Sequence, residues 1–268
     1  MAHIDIDPAR CDRDGLCIGE CPVGLLSPGP DKLPLAAADA AEKCIMCGHC
    51  IAVCPTGALS LAGLAADALP PVRKSLVISP ESAEQFLRSR RSVRRFQKQP
   101  VERELILRLI DTARYAPSGM NAQPVRWVVA EGGEAVHRLA GLTAEALRKL
   151  PYFMGFLEAW EAGRDTILRA APNLVVAHAD ATGFDHTVDC AIALAHFELA
   201  AYGYGLGACW AGLLMLAARD SEPLNTALDI PLNHKVYGAL MLGYPAYPFR
   251  RLPPRKAPQV RWLLPSGE

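Results

Sequence analysis

Apolar positions after Pro100 recur at helical spacing, with Leu105, Leu109, Ala113 and Ala116 on one face, and the run stops at Pro117-Ser118-Gly119. A second helix start is legible at Ser79-Pro80-Glu81, where a capping hydroxyl precedes a proline in the first turn. Residues 133–162 read as helix with a break at Pro151. From about Asp185 to Ala201 the chain is apolar on nearly all sides, which predicts a helix buried in a domain centre or against a second subunit. Short apolar runs at Val125–Ala130, Asn173–His178, Cys209–Met215 and Val236–Leu242 predict strands, and helices mixed with strands indicate an α+β domain. Leu199 to Ala218 is twenty residues without a formal charge, long enough to span a membrane. Gly203, Gly205, Gly207 and Gly212 interrupt it, so a buried helix, a glycine turn and a buried strand are expected instead, and no membrane span. Six prolines from Pro245 onward predict an extended arm.

Composition narrows the picture. The 268 residues carry no formal net charge, which gives no whole-chain reason to expect a nucleic-acid partner. Seven of the nine cysteines lie in the first 54 residues, in CxxC spacing and with a polar amino-terminal stretch rather than a secretory signal. That points to metal binding in a reducing, cytoplasmic compartment rather than to disulfides.

Cys44, Cys47 and Cys50 stand at intervals of three, and Cys54-Pro55 follows four residues later. A loop of this kind aims three thiolates at one iron–sulfur cube and sends the trailing cysteine to a second cluster. Paired CxxC motifs also suit zinc, but zinc needs only four ligands and has no use for the trailing Cys-Pro. Residues 1–66 hold two such half-motifs, closing on Cys21-Pro22 and Cys54-Pro55, as in a small pseudo-symmetric two-cluster domain. With so slight an apolar core, bound clusters would supply much of its folding free energy. Residues 67–79 read as a linker, and 80–268 as the second domain.

Laid over each other, the halves align Cys11, Asp14, Cys17 and Cys21 with Cys44, Cys47, Cys50 and Cys54. Cluster one would take Cys11, Cys17 and the trailing Cys54; cluster two would take Cys44, Cys47, Cys50 and the trailing Cys21. One thiol is short of the eight that two four-iron clusters need. Three outcomes are open at the first site: Asp14 ligates through oxygen, the cluster has three irons (3Fe-4S), or it is 4Fe-4S with an exchangeable ligand. Carboxylate is a harder donor than thiolate, so that corner is expected to be the labile one. His49 reads as a loop residue near cluster two, and Cys190 and Cys209 as small buried hydrophobes.

Residues 88–98 carry six positive charges and no acid, a cluster that suits a single phosphate. Arg90-Arg91-Ser92-Val93-Arg94, Ala116-Pro117-Ser118-Gly119-Met120-Asn121-Ala122-Gln123-Pro124, Gly205–Gly212 and Leu242-Gly243-Tyr244-Pro245 occur in the order and spacing of a flavin signature. In them residues 80–268 resemble the nitroreductase family, and residues 1–66 resemble a two-cluster ferredoxin; together they look like the ferredoxin-fused branch of that family. The resemblance implies an α+β fold, a mixed sheet flanked by helices, in an obligate homodimer with two FMN sites at its interface. It implies Arg90, Arg91 and Ser92 at the FMN phosphate and ribityl chain, and Arg94 at the pyrimidine edge, where a cation offsets charge that develops on reduction. It further implies Ser118 reaching the flavin of the other subunit, Asn121 in the same loop, and backbone of Ala211 and Gly212 near the ring's N5 side. Arg255 on the arm would return to the phosphate, with Arg250, Arg251 and Lys256 as rivals. One departure stands out: Val125-Arg126 separate Gln123-Pro124 from Trp127, where many relatives place an aromatic directly.

The function these features imply is an oxidoreductase in which clusters pass single electrons to FMN, which then reduces a small acceptor such as a nitroaromatic or quinone. The glycines at 203, 205 and 207 lack the spacing of a dinucleotide fingerprint. NAD(P)H and reduced ferredoxin both stay open as donors, and no protein acid or base stands out as catalytic. The rival readings are another flavin reduction such as dehalogenation, a non-enzymatic electron-transfer protein, and an iron–sulfur protein that binds nucleic acid through the basic run.

Overall fold

The structure, a computed structural model, describes residues 4–263; the first three residues and the far end of the arm lie outside the described residues. The chain divides into two compact units, one of residues 1–77 with 117–123, the other of 78–116 with 124–268.

The first unit is built twice over. Strand β1 (Ile4–Ile6), helix α1 (Leu16–Glu20), the hairpin β2 (Leu26–Pro28) with β3 (Pro34–Ala36), helices α2 (Ala40–Lys43) and α3 (His49–Val53), and strands β4 (Leu59–Leu61) and β5 (Leu64–Ala65) follow in order. β4 pairs antiparallel with both β1 and β5. α1 and α3 each begin after a left-handed glycine, Gly15 and Gly48, both at φ 75°. Two positions earlier, Arg13 (φ 60°) and Met46 (φ 54°) are left-handed as well. The same left-handed pair thus coils the chain tightly ahead of both helices. The core cluster is small, Leu26, Ile51, Leu59 and Leu61 with the sulfurs of Cys17 and Cys50, and Leu25, Ala40 and Ala58 are buried beside it. Residues 67–79, read as a linker, are exposed throughout except half-buried Leu69.

The second unit opens on α4 (Pro80–Ser89), whose start is capped as the sequence implied, Ser79 Oγ accepting from Ser82 N at 3.1 Å. α5 (Arg103–Ala113), β6 (Arg126–Glu131), α6 (Gly133–Leu147), α7 (Met154–Glu161), β7 (Asn173–Asp180), α8 (Thr187–Gly203), β8 (Gly207–Trp210), α9 (Gly212–Ala217), α10 (Glu222–Ala227) and β9 (His234–Gly243) complete it. The sheet runs β6-β7-β9-β8, antiparallel at every pairing. Parallel pairing enters through the Ser92–Ala208 bridge at its edge. β7 is buried along nearly its whole length because helices cover both faces, so its two sets of alternate residues serve two cores. Leu174 and Val176 pack with α6, α9 and α10. Val175, Ala177 and Ala179 pack with α5 and α8, where Phe197 and Leu194 are fully buried.

The membrane-length apolar stretch resolves into helix, turn, strand and helix. α8 ends in a paired-bond cap, Leu206 N donating to Ala201 O at 2.9 Å and Gly205 N to Tyr202 O at 3.0 Å. Gly205 takes the left-handed position (φ 76°) that this cap requires. Among the described residues no helix is long and apolar enough to cross a membrane. Two expectations are corrected. The strand expected over Cys209–Met215 stops at Trp210, and Gly212–Ala217 is helix, because Leu214 and Ala217, three apart, reach one core while Ala211 N turns to Ala239 O. α5 buries Ile106, Leu109 and Ala113 rather than Leu105, and ends before Ala116.

His178 on β7 and His234 on β9 face each other, Nδ1 to Nδ1 at 2.9 Å. Burial, then the charges of His234 and Arg126, hold the His178 pKa below its ordinary 6.5. The unfolded chain therefore binds more protons near that pH, and stability, full above it, falls as pH drops through it. All four tryptophans (127, 160, 210 and 262) lie in the second unit, so their fluorescence follows its unfolding alone. The denaturant midpoint is expected to fall between pH 7.5 and 5.5, and less steeply in His234→Asn, which removes one of the repelling charges. An equal slope in the two proteins would rule out the pair as its source.

Candidate functional site

The amino-terminal thiols gather into two sets. Burial, then the charges of Cys11, Cys54 and Asp14, raise the pKa of Cys17, so these four side chains are neighbours. Cys50 is pushed up to about 11 by burial, with Cys47, Cys21 and Cys44 adding to it. The trailing cysteines leave α1 and α3 in extended backbone and accept main-chain hydrogen bonds at matching offsets, Leu25 N to Cys21 Sγ and Ala58 N to Cys54 Sγ, both 3.3 Å. Burial acts to raise the Cys54 pKa, but bonds from the Thr56 hydroxyl and nearby amides outweigh it and lower the value. Such N–H···S bonds stabilise sulfur that carries negative charge, the state an iron–sulfur ligand needs. All seven thiols are free of disulfides. Among the described residues no three His, Cys, Asp or Glu side chains converge as a single metal ion would require.

Asp14 occupies the place of Cys47 in the repeat, between a left-handed residue and a left-handed glycine. Its Oδ1 accepts from Leu16 N at 3.1 Å. His49 is exposed, with Glu20 3.9 Å away.

In the second unit the arginine segment is laid beside the sheet as an extended ribbon. Val93 N donates to Ala208 O at 2.9 Å, and Ser92 bridges Ala208. A Cβ on Gly207 would come within 2.5 Å of Val93 Cγ2, so glycine is what lets β8 approach the ribbon. Further along, Gln97 N donates to Tyr244 O at 2.8 Å and Ala246 N to Arg95 O at 3.0 Å. A Cβ on Gly243 would meet Pro172 at 2.7 Å and Phe96 at 3.0 Å. Three separated sequence segments, around 90–96, 205–212 and 243–246, are thereby assembled.

Arg91, Ser92, Arg94, Arg95, Tyr247 and Phe249 line a cavity of about 200 Å³ beside this ribbon. The Arg91 guanidinium carbon stands 5.0 Å from the Phe249 ring centroid. Across Arg91 a second cavity, about 220 Å³, is walled by Val93, Tyr202, Leu206, Tyr247 and Phe249. Cations, a hydroxyl and flat apolar walls are the donor set a phosphate ester with an aromatic ring calls for. A larger cavity of about 340 Å³ lies by His137 and Trp160, remote in sequence from these segments, and its Arg148 is held by Glu161 at 2.6 Å.

The expected FMN residues separate by what they touch. Arg94 is exposed and makes no ion pair among the described residues. Arg90 is committed to Glu198, Nη1 donating to Oε1 at 2.9 Å. Ala211 is buried, and a Cβ on Gly212 would project into open space, leaving room for a ring. Arg255 lies on the exposed arm and donates to the adjacent Pro254 carbonyl. Ser118 and Asn121 belong to the segment 117–123 that groups with the first unit. Both ends of the Asn121 amide are engaged there, Nδ2 on Ile45 O at 3.0 Å and Oδ1 accepting from Gln123 Nε2 at 3.2 Å. Cys190 is pushed up to about 12 by burial, and burial also raises Cys209, so both behave as apolar side chains. Sequence reasoning missed Glu198, Arg95, Tyr247 and Phe249. A carboxylate in the second half of an otherwise apolar helix was the available signal for Glu198, since such a group demands a cation partner.

Comparison with known proteins matches the profile described as "Nitroreductase family" to residues 87–244, and that described as "4Fe-4S dicluster domain" to residues 9–59. The chain is 30% identical over 165 residues to a "Putative NADH dehydrogenase/NAD(P)H nitroreductase" of Methanothermobacter thermautotrophicus, spanning 60% of this chain and 75% of that one. It is also 30% identical over 181 residues to the "5,6-dimethylbenzimidazole synthase" of Rhodospirillum rubrum, 58% of this chain and 78% of the other. Among solved structures, a Bacteroides fragilis nitroreductase with bound FMN superposes at TM-score 0.58 and 25% identity, covering 69% of this chain and all of its own.

Proposed function

This chain belongs to the nitroreductase family, and we infer that its amino-terminal clusters feed single electrons to an FMN that reduces a small acceptor, a nitroaromatic or a quinone. FMN takes electrons singly or as a hydride, whereas iron–sulfur clusters pass them one at a time. The observation that carries the reading is the assembly of the arginine ribbon against β8, which puts Ser92 and Arg94 beside the backbone leading to Ala211 and Gly212. Arg91, Ser92 and Arg95 would hold the phosphate. Arg94 would face the ring's electron-rich edge and favour its reduction electrostatically. Arg90 would act at one remove, neutralising Glu198 so that α8 can bury it. Cys11, Cys17 and Cys54 with Asp14 would hold one cluster, and Cys21, Cys44, Cys47 and Cys50 the other. Half-buried Ile192, Ala195 and Leu199 give α8 an apolar stripe for a second copy of the chain.

The test is anaerobic purification followed by iron, sulfide and flavin counting. Roughly seven or eight irons with about one FMN per chain are expected, the spread reflecting a three- or four-iron first cluster. Steady reduction of a nitroaromatic with reduced ferredoxin as donor is expected to follow. Flavin-free, cluster-free protein would sink the reading. A different flavin reaction on the same scaffold is the second reading, favoured by the equal identity to the dimethylbenzimidazole synthase.

A further inference from the structure

The two halves of the first unit leave their helices by the same turn. Cys21-Pro22-Val23-Gly24-Leu25 and Cys54-Pro55-Thr56-Gly57-Ala58 correspond position by position. In each the glycine is left-handed, Gly24 at φ 66° and Gly57 at φ 64°. In each an amide four residues on donates to the trailing sulfur at 3.3 Å. The chemistry parts at Val23 and Thr56, both half-buried. Thr56 Oγ1 lies 3.6 Å from Cys54 Sγ, a hydrogen bond to sulfur for which valine offers Cys21 no counterpart. Arg10 grips the Cys54 turn, Nη2 donating to Thr56 O at 2.7 Å and pairing with Asp67 at 3.6 Å. Lys43, which stands in the place of Arg10 in the repeat, pairs instead with Asp39 four residues back.

We propose that Thr56 is a positioning residue for the cluster of Cys11, Cys17 and Cys54, its hydroxyl raising that cluster's reduction potential and leaving the other's as it is. This rests on the function inferred above and concerns the first unit alone. A ligating thiolate carries no proton, so the hydroxyl is the donor. Reduction adds one electron and breaks no bond, and part of the added negative charge falls on the thiolate sulfurs. A donor fixed on one of those sulfurs therefore stabilises the reduced state more than the oxidised one. Arg10 holds the backbone that aims the hydroxyl at Cys54. An electron supplied by a low-potential one-electron donor is thereby drawn toward the Cys54 side of the unit.

Thr56→Val is the discriminating variant, since it keeps the shape and removes the hydroxyl. Anaerobic holoprotein is titrated with dithionite and redox mediators while EPR follows each cluster against potential. Asp14→Cys, which alters the ligand set on the Cys54 side only, identifies the signal in question. In Thr56→Val that midpoint is expected to fall by about 59 mV, a tenfold change in a one-electron equilibrium, while the other stays at its native value. Thr56→Ser, which keeps the hydroxyl, should stay near the native midpoint. Val23→Thr, which offers Cys21 a hydroxyl at the matching offset, should raise the other midpoint. An unmoved or raised midpoint in Thr56→Val would overturn the proposal, and so would a shift in the signal that Asp14→Cys leaves alone. Iron lost from Thr56→Val would make the hydroxyl a requirement for holding the cluster and also overturn it. Native protein with no EPR-active iron would defeat the broader reading as well, whereas a cluster-bearing Thr56→Val with native midpoints defeats this one alone.

Discussion

Arg94→Ala is expected to weaken FMN binding about tenfold to a hundredfold while the second unit unfolds at its native midpoint, whereas Arg90→Ala is expected to destabilise the unit first. The two side chains are four residues apart on one ribbon but meet different surroundings. Arg94 is exposed and makes no ion pair among the described residues, so its loss should cost the fold little. A hydrogen bond to a charged group contributes about 1.5–3 kcal/mol, which is roughly one to two powers of ten in affinity. Arg90 instead faces Glu198, whose side chain is 9% exposed against 27% for its own. Removing one member of a fully buried pair costs about 3–5 kcal/mol, and water reaching Arg90 lowers the figure toward the bottom of that range. Quenching of flavin fluorescence measures the first effect, and tryptophan-monitored denaturation the second. Arg94→Ala binding FMN as tightly as the native protein would end the assignment of that side chain to the flavin. An unshifted midpoint in Arg90→Ala would show that Glu198 finds another partner.

The larger effect is expected at Cys50→Ala. Beyond the sulfurs of Cys17 and Cys50, seven leucine, isoleucine and alanine side chains are buried among the described residues of the first unit, Leu25, Leu26, Ala40, Ile51, Ala58, Leu59 and Leu61, too few to hold it without help. For scale, a structural zinc supplies an apparent ~10–16 kcal/mol to a small finger peptide. Losing one ligand of a cluster is therefore expected to unfold the unit rather than loosen it. Limited proteolysis should then cut within residues 4–77, with iron falling to background, while the tryptophan transition of the second unit persists. Cys190→Ala, at a buried thiol remote from both sets, should leave the iron content untouched. A protease-resistant amino-terminal unit in iron-free Cys50→Ala would show that its apolar contacts suffice after all.

What could be read from the chain alone was whatever depends on short separations. The cysteine spacing, the helix cap at Ser79, the break near Pro151 and the turn at Gly205 are set by residues within about four positions of one another, where covalent geometry leaves few choices. The run 209–215 failed as a strand because a short apolar stretch carries no period long enough to distinguish strand from helix. Contacts across long separations were decided only by the fold: Glu198 against Arg90, Gln97 against Tyr244, His178 against His234, and Asn121 against Ile45. Each joins residues roughly 55 to 150 positions apart. Which partner a polar group meets at that range follows from how the sheet and helices stack, and no local pattern of residues encodes it.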